Sequence, residues 1–222
     1  MKSKKVYLTI DDSPSNDFIK KVDFLYENKI QTIFFCLGKL LRRKEGDIIY
    51  SIKKGFAIGN HSYNHPHFSK ISLSESINQI KKTDIIINNL YKKAGIKRIL
   101  NVFRFPYGDK GGRNKEAIQN FLKKLNYKQP KFKGINYDYF SKFKLNKDLD
   151  VFWTFDFEEY INKDWKIILE RINCKNPKLG GSLINKNSSD IVLIHDHKET
   201  TNLFFNIIKE LQGRKIKFEK IR

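Results

Sequence analysis

Cysteine is nearly missing: Cys36 and Cys174 are the only two among 222 residues. They lie far apart and form no CxxC pair, which excludes a disulfide framework and suits a reducing compartment. Cys36 falls in the apolar run Ile33–Leu37, where a buried, inert thiol is expected. No apolar run approaches the ~18 residues of a membrane-spanning helix. In the opening MKSKKVYLTIDD, an apolar signal core of ~7–15 residues would use up the first strand, so no secretion signal and a cytoplasmic location are expected. No Pro/Gly/Ser-rich linker and no internal repeat divides the chain. Acidic residues are short as well, 24 against 44 Lys and Arg, for a formal charge of +20. Histidine is scarce and concentrated: five residues, all within 61–67 and 195–197.

What remains is a chain able to build a core. Leu, Ile, Val and Phe supply 70 of the 222 residues and aromatics 14%, which excludes disorder. The positive charge suggests nucleic acid or an anionic surface. Compositional bias is the other reading, since lysine outnumbers arginine 36 to 8 and Ile (29) and Asn (20) are abundant. The charge is uneven. Residues 92–147 hold 16 Lys/Arg against 3 Asp/Glu, a net +13, and 121–147 interleaves eight lysines with seven aromatics. This stretch is a candidate wall for an anionic or sugar ligand, flanking a cleft.

Hydrophobic periodicity predicts strands over 5–10, 31–37, 56–59, 99–105, 150–156, 190–195 and 215–219. Helices are predicted over 15–29, 44–54, 72–93, 114–125, 163–173 and 201–212. Ser15 is the expected N-cap of the first helix; Ser72 with Glu75 reads as a capping box, and Gly95 as a stop. Such alternation implies one domain with a parallel sheet, either open or closed into a barrel. Residues 126–149 are too long for a simple connection. They read as an excursion over the strand-end face or as another strand. Asp11, Asp12, His61, Arg104, Asp156 and His195 fall at C-terminal ends of expected strands, which share one face in a parallel barrel.

His61-x-x-x-His65 can place two imidazoles on one side of a helical turn, a spacing that suits a tetrahedral metal. An acidic third ligand must come from another strand end, and Asp11 and Asp12 are both candidates. Neighbouring carboxylates on an extended segment point opposite ways, so one addresses the metal and the other is left for a different task. Three protein ligands leave a position for water. His195 ends an apolar strand and reads as catalytic. His197, in the polar loop that follows, reads as solvated, and so does His67 after Pro66.

Four stretches recur in order: Thr9-Ile10-Asp11-Asp12-Ser13-Pro14, His61-Ser62-Tyr63-Asn64-His65-Pro66, Arg104-Phe105-Pro106-Tyr107-Gly108 and Leu193-Ile194-His195. They resemble the motifs TFDDGP, H-[ST]-x-x-H-P, R-x-P-x-G and L-x-H of the polysaccharide deacetylases, carbohydrate esterase family 4 with the NodB-homology domain. The resemblance runs from about residue 5 to about residue 197. It implies a single NodB-like domain over 1–222, an α/β fold forming a distorted (β/α) barrel of about seven parallel strands, with the active site at their C-terminal ends. It also implies roles. Asp12, His61 and His65 would hold a divalent metal, zinc first, with cobalt or another ion as alternatives. Asp11 would be the general base, oriented by Arg104, and His195 the acid that protonates the departing amine. The N–H of Tyr107, after Pro106, would stabilise the oxyanion, and Leu193 would line the acetyl pocket.

There are two departures. Ser13 replaces a glycine, which strains the backbone if φ is positive there. A further family motif, D-x-x-D-W, falls between the R-x-P-x-G and L-x-H matches and is met only partly, by Asp156-Phe157-Glu158-Glu159-Tyr160. Glu159 would hold His195 from one methylene further away, and Tyr160 would replace the tryptophan that walls the sugar site. Asp164-Trp165 supplies a DW without the upstream aspartate and is a decoy.

The expected activity is metal-dependent removal of N-acetyl groups from a neutral or anionic amino-sugar glycan. The expected partner is that glycan, with no nucleic acid and no membrane span; oligomeric state is not legible. One alternative is a same-fold hydrolase of another non-peptide C–N bond, such as a cyclic amide or imide. The other is a basic module that binds anionic glycan or nucleic acid without catalysis.

Overall fold

The computed structural model describes residues 3–178 and 180–221. Strand β1 (Lys5–Ser13) forms from the β-branched and aromatic run KVYLTI and extends through both aspartates. Val6, Leu8 and Ile10 pack outward against helices, while Tyr7 packs inward. The period of two repeats on β2 (Thr32–Cys36), where Phe34 and Cys36 face out and Ile33 and Phe35 face in. The remaining strands are β3 (Ala57–Asn60), β4 (Phe155–Asp156), β5 (Asp190–His195) and β6 (Lys217–Phe218). All pairings are parallel, in the order β3-β2-β1-β5-β4, with β6 added beside the start of β1.

Two isolated bridges close the ring. Phe103 is paired with Asn60 at the end of β3 and with Asp150 on its other side. The segment from Asp150 then runs into β4, which pairs β5. Among the described residues there are six strands, and the predicted strand 99–105 is reduced to its bridges at Phe103. Predicted strand 150–156 is regular only at Phe155–Asp156. Single backbone bonds rather than long ladders tie these segments in: Asn60 N–H donates to Val102 O, Arg104 N–H to Asn60 O, Val151 N–H to Phe103 O, Thr154 N–H to Ile191 O and Phe157 N–H to Leu193 O.

The helices are α1 (Phe18–Glu27), α2 (Gly38–Leu41), α3 (Glu45–Lys53), α4 (Leu73–Ala94), α5 (Lys115–Lys124), α6 (Asp138–Lys142), α7 (Trp165–Asn173) and α8 (Thr201–Gly213). The outward strand residues pack against α1, α3, α4, α7 and α8 in one continuous core. Each fully buried Phe, Leu or Ile there contributes about 1.5–3 kcal/mol of burial. Helix α1 starts later than expected. Asp17 is its N-cap residue, and Ser15 Oγ accepts from the Asp17 N–H instead of capping the helix. Helix α4 starts at Ser72, whose Oγ accepts from the Glu75 N–H, and stops at left-handed Gly95. Glu75 does not close the box; its carboxylate holds Asn78 and Gln79.

Residues 126–149 correct an expectation. They add no strand and do not lie over the strand C-terminal ends. The Lys133 N–H donates to Tyr7 Oη near the start of β1, and the Ser189 N–H, just before β5, donates to Gly134 O. Phe132, Tyr137, Tyr139, Phe140 and Leu145 join Tyr7, Ile33 and Ile191 in an inner apolar cluster. This segment therefore plugs the N-terminal end of the ring, because the apolar inner residues would otherwise be open to water there. Lys131 and Lys133 go with it, so this part of the basic stretch flanks the opposite end of the ring.

Candidate active site and metal centre

At the C-terminal end of the ring, the two aspartates break the expected alternation. Asp12 has a left-handed φ of 62°, and the β1–β2 register slips between Ile10 and Ser13. This local irregularity brings both carboxylates to the same ring: His61 Nε2 lies 3.5 Å from Asp11 Oδ2 and 3.6 Å from Asp12 Oδ1. The unusual φ falls on Asp12 and not on Ser13, so the serine takes its family position without a left-handed penalty.

The histidine motif is a strained turn and not a helix. Ser62 and His65 have φ of 68° and 64°. Pro66 already disfavours a right-handed helical conformation at His65. The turn is held by polar side chains from the scaffold. Asn60, itself tied to Ile80 O and Tyr127 Oη, accepts from the Ser62 N–H. Ser62 Oγ accepts from the His65 N–H, and Gln79 on α4 accepts from the Tyr63 and Asn64 N–H groups. These bonds stabilise left-handed residues that cost on the order of 1–3 kcal/mol each.

The donor set suits a divalent cation. Asp12 Oδ1 is buried and has no hydrogen-bond partner, yet it lies 3.6 Å from His61 Nε2 and 3.3 Å from His65 Nε2. Ligand atoms around a tetrahedral ion at ~2.1 Å stand about 3.4 Å apart. His61 Nδ1 lies 2.9 Å from Arg104 O, a carbonyl that can only accept. Nδ1 therefore carries the proton and Nε2 turns its lone pair to the centre. Burial and the adjacent His61 ring hold His65 down to about 4, so it is neutral and able to ligate. Burial acts to raise the Asp12 carboxyl, but the bond from His197, with the positive His195 ring nearby, works the other way and the carboxyl lies below the usual range.

Arg104 is fully buried within the ring. Its Nη1 donates to Asp11 Oδ1 at 2.8 Å and to Thr9 Oγ1 at 2.9 Å, and its Nε to Val151 O. Phe35 and Trp153 flank the guanidinium. Asp11 is paired in register with His195 on β5, so the two sit side by side. His195 Nδ1 lies 3.1 Å from Glu159 Oε1, which also accepts the His195 N–H. Burial opposes protonation of His195, but the bond and charge of Glu159, with Asp11 and Asp156, raise it to about 9. Burial raises Asp156 to about 6. Leu193 is buried two residues before His195 on the same strand face. The Tyr160 ring stands 4.3 Å from the His195 ring and is partly exposed.

Tyr107, with φ of 58°, places its ring 4.5 Å from His65 in the turn begun by Pro106. His67 stacks on Tyr107 at 3.9 Å and lies outside the cluster of Asp12, His61 and His65. Asp164 caps α7 and Trp165 packs into the core, so the DW decoy is structural. Cys36 is buried, and burial pushes its thiol up. His197 is still about 35% exposed, as its loop position suggests, but it is also engaged with the site. Its Nε2 is 3.0 Å from Asp12 Oδ2, a contact not expected of a loop residue read as solvated. The only sequence signal was its i,i+2 spacing from His195.

A family model described as polysaccharide deacetylase matches residues 1–130. A peptidoglycan-N-acetylglucosamine deacetylase of Bacillus cereus is 35% identical over 120 residues, covering 54% of this chain and 39% of that protein. The peptidoglycan-N-acetylmuramic acid deacetylase PdaC of Bacillus subtilis is 26% identical over 210 residues, covering 94% of this chain and 36% of that protein. The chain thus spans less than half the length of these relatives. Among solved structures, a family 4 carbohydrate esterase from Streptomyces lividans in complex with acetate superposes with a TM-score of 0.69 at 20% identity, covering 99% of this chain and 93% of that one. A family pseudoenzyme from Bacillus anthracis has the same TM-score, 0.69, at 19% identity, covering 97% of this chain and 63% of that one. At such identities the likeness is one of fold. With more than half its length matched by the family model and its ordered motifs gathered at one end of a parallel α/β ring, the chain belongs to the polysaccharide deacetylase family.

Proposed function

We propose that the protein hydrolyses N-acetyl groups of an amino-sugar glycan with a divalent metal held by Asp12, His61 and His65. One observation carries this reading: the orphaned Asp12 Oδ1 converges with two imidazole Nε2 atoms. A carboxylate and an imidazole, each braced separately, stand beside them. A fold shared with a pseudoenzyme does not decide activity, so the site must. The two curated relatives are named for deacetylation of peptidoglycan amino sugars, which supports this substrate class.

A bound divalent ion supplies Lewis-acid polarisation of the amide carbonyl and of water. Two imidazoles and one carboxylate suit zinc first. The chain's own residues do the rest. Arg104 occupies Asp11 Oδ1, leaving Oδ2 to take the proton of the attacking water. His195 is protonated at neutral pH, and Glu159 holds its Nδ1–H, so Nε2–H faces the departing nitrogen. That proton lets the C–N bond break with release of a neutral amine and acetate. Leu193 forms an apolar floor for the methyl group, Tyr107 N–H donates to the developing oxyanion, and Tyr160 borders the sugar.

The substrate is favoured when it carries an anionic group. A groove of about 520 Å³ leads away from Asp12 and His65 and is bordered by Lys39, Arg43, Lys44 and Lys198, with Glu199 the exposed acid on its rim. Lys44 pairs with Asp47, while the other three cations have no carboxylate partner among the described residues.

The test is acetate release from N-acetylglucosamine oligomers and peptidoglycan fragments by chelator-stripped and metal-restored protein. Stripped protein should be inactive, and Zn²⁺ or Co²⁺ should restore turnover. Asp11→Asn should keep its metal and lose turnover. Full metal occupancy without acetate release from any N-acetylated glycan would sink the proposal.

A further inference from the structure

The two oxygens of Asp12 have different surroundings. Oδ1 is buried, unpartnered and aimed at His61 and His65. Oδ2 lies 3.0 Å from His197 Nε2. An ionised carboxylate only accepts, so His197 Nε2 carries the proton and donates. We infer that His197 is a positioning residue for the metal centre: it occupies Asp12 Oδ2, makes Oδ1 the one ligand oxygen and prevents Asp12 from chelating through both. This rests on the metal reading above. It assigns His197 a task that none of the four matched motifs contains.

The loop that carries His197 is tied down on the side facing β1. Lys21 on α1 is fully buried, and its ammonium donates to Asp196 Oδ1 at 2.6 Å and to the His197 carbonyl at 3.0 Å. Asp196 Oδ2 accepts from the Ser15 N–H at 2.8 Å. The Asp196 N–H donates to Asp11 O at 2.8 Å. Residues 196–197 are thus fixed to the exit of β1, the segment that presents Asp12. A side chain meant only for solvent needs no buried cation aimed at its carbonyl. His67 provides the contrast: its Nδ1 lies 3.6 Å from Asp109 and its ring stacks on Tyr107, with no contact to the ligand set.

An outer hydrogen bond of this kind orients the ligand, and its loss typically weakens metal affinity by about 10–100-fold. The experiment titrates metal-free protein with Zn²⁺ against a chromophoric chelator, and with Co²⁺ while recording its d–d absorption. Wild type is compared with His197→Ala, His197→Leu and His197→Gln, the last carrying an amide N–H able to reach the same oxygen. The Ala and Leu variants should bind both ions about 10–100-fold more weakly and show an altered Co²⁺ band. Gln should recover most of the affinity and the wild-type band. If Ala fails to fold, Leu, which fills similar volume, carries the comparison. Wild-type affinity and an unchanged Co²⁺ band in the Leu variant overturn the inference, as does a Gln variant as weak as Leu. If wild type itself binds neither ion, the metal reading fails and takes this inference with it. That outcome is separable because it does not depend on residue 197.

Discussion

Glu159→Gln keeps the side chain's size and removes its charge, which isolates what the carboxylate does to His195. In the folded protein burial works to lower the His195 ring, while Glu159, Asp11 and Asp156 raise it from 6.5 to about 9. Without the Glu159 charge only Asp11 and Asp156 are left to oppose burial, and the ring falls back toward its ordinary 6.5. Near pH 7.5 the protonated fraction then falls from about 97% to about 9%. Protonation alone therefore lowers the rate roughly tenfold there, and less at lower pH. The linked stability has a definite sign. A raised histidine stabilises fully below pH 6.5 and loses that contribution as pH climbs to about 9. The shift corresponds to on the order of 3 kcal/mol. The assays are the pH profile of kcat/KM, ring NMR titration of metal-free protein and urea unfolding across that window. Wild type should lose stability between pH 6.5 and 9, and the variant should not. A variant whose alkaline limb overlays wild type, with His195 still titrating near 9, refutes the reasoning.

Arg104→Met should leave the buried Asp11 carboxylate without its partner, costing about 3–5 kcal/mol in urea unfolding as well as turnover. Charge reversal at both Lys39 and Arg43 should slow acetate release from anionic substrates at low salt and spare neutral ones. Equal effects on the two would reduce these cations to compositional bias. Gly59→Ala should lower the melting temperature, because the new Cβ would stand 2.6 Å from Phe35 Cδ1 in the wall of the ring. Such overpacking costs about 1–3 kcal/mol, and an unshifted melting temperature would show that β3 yields without cost.

The order of strands and helices was legible because alternation and helical spacing are local properties, and β1, β2, β5 and α4 follow them closely. The segments around Phe103 and Asp150 have the apolar content of full strands yet form only isolated bridges, since apolar content does not say how many ladder bonds form. The His61–His65 spacing is that of a helical turn. Spacing alone cannot reveal that Ser62 and His65 adopt left-handed φ under the hold of Asn60 and Gln79. The contact of His197 leaves no local signal because its partner Asp12 is 185 residues away in sequence.

Sequence alone determined the family, the parallel α/β pattern and which residue types meet at the strand ends, because motif order and side-chain periodicity are written along the chain. Its absences did part of that work: five histidines in two windows left few places for metal chemistry. Only the tertiary structure decided which oxygen faces which ring. A positive φ at Asp12 and a slipped register turned two opposed carboxylates toward one imidazole. Tertiary packing also sent the aromatic part of the basic stretch to the far end of the ring, where exposed apolar surface required a plug, leaving Lys39, Arg43 and Lys198 beside the site. Such choices depend on contacts between segments far apart in sequence, and local pattern carries no record of them.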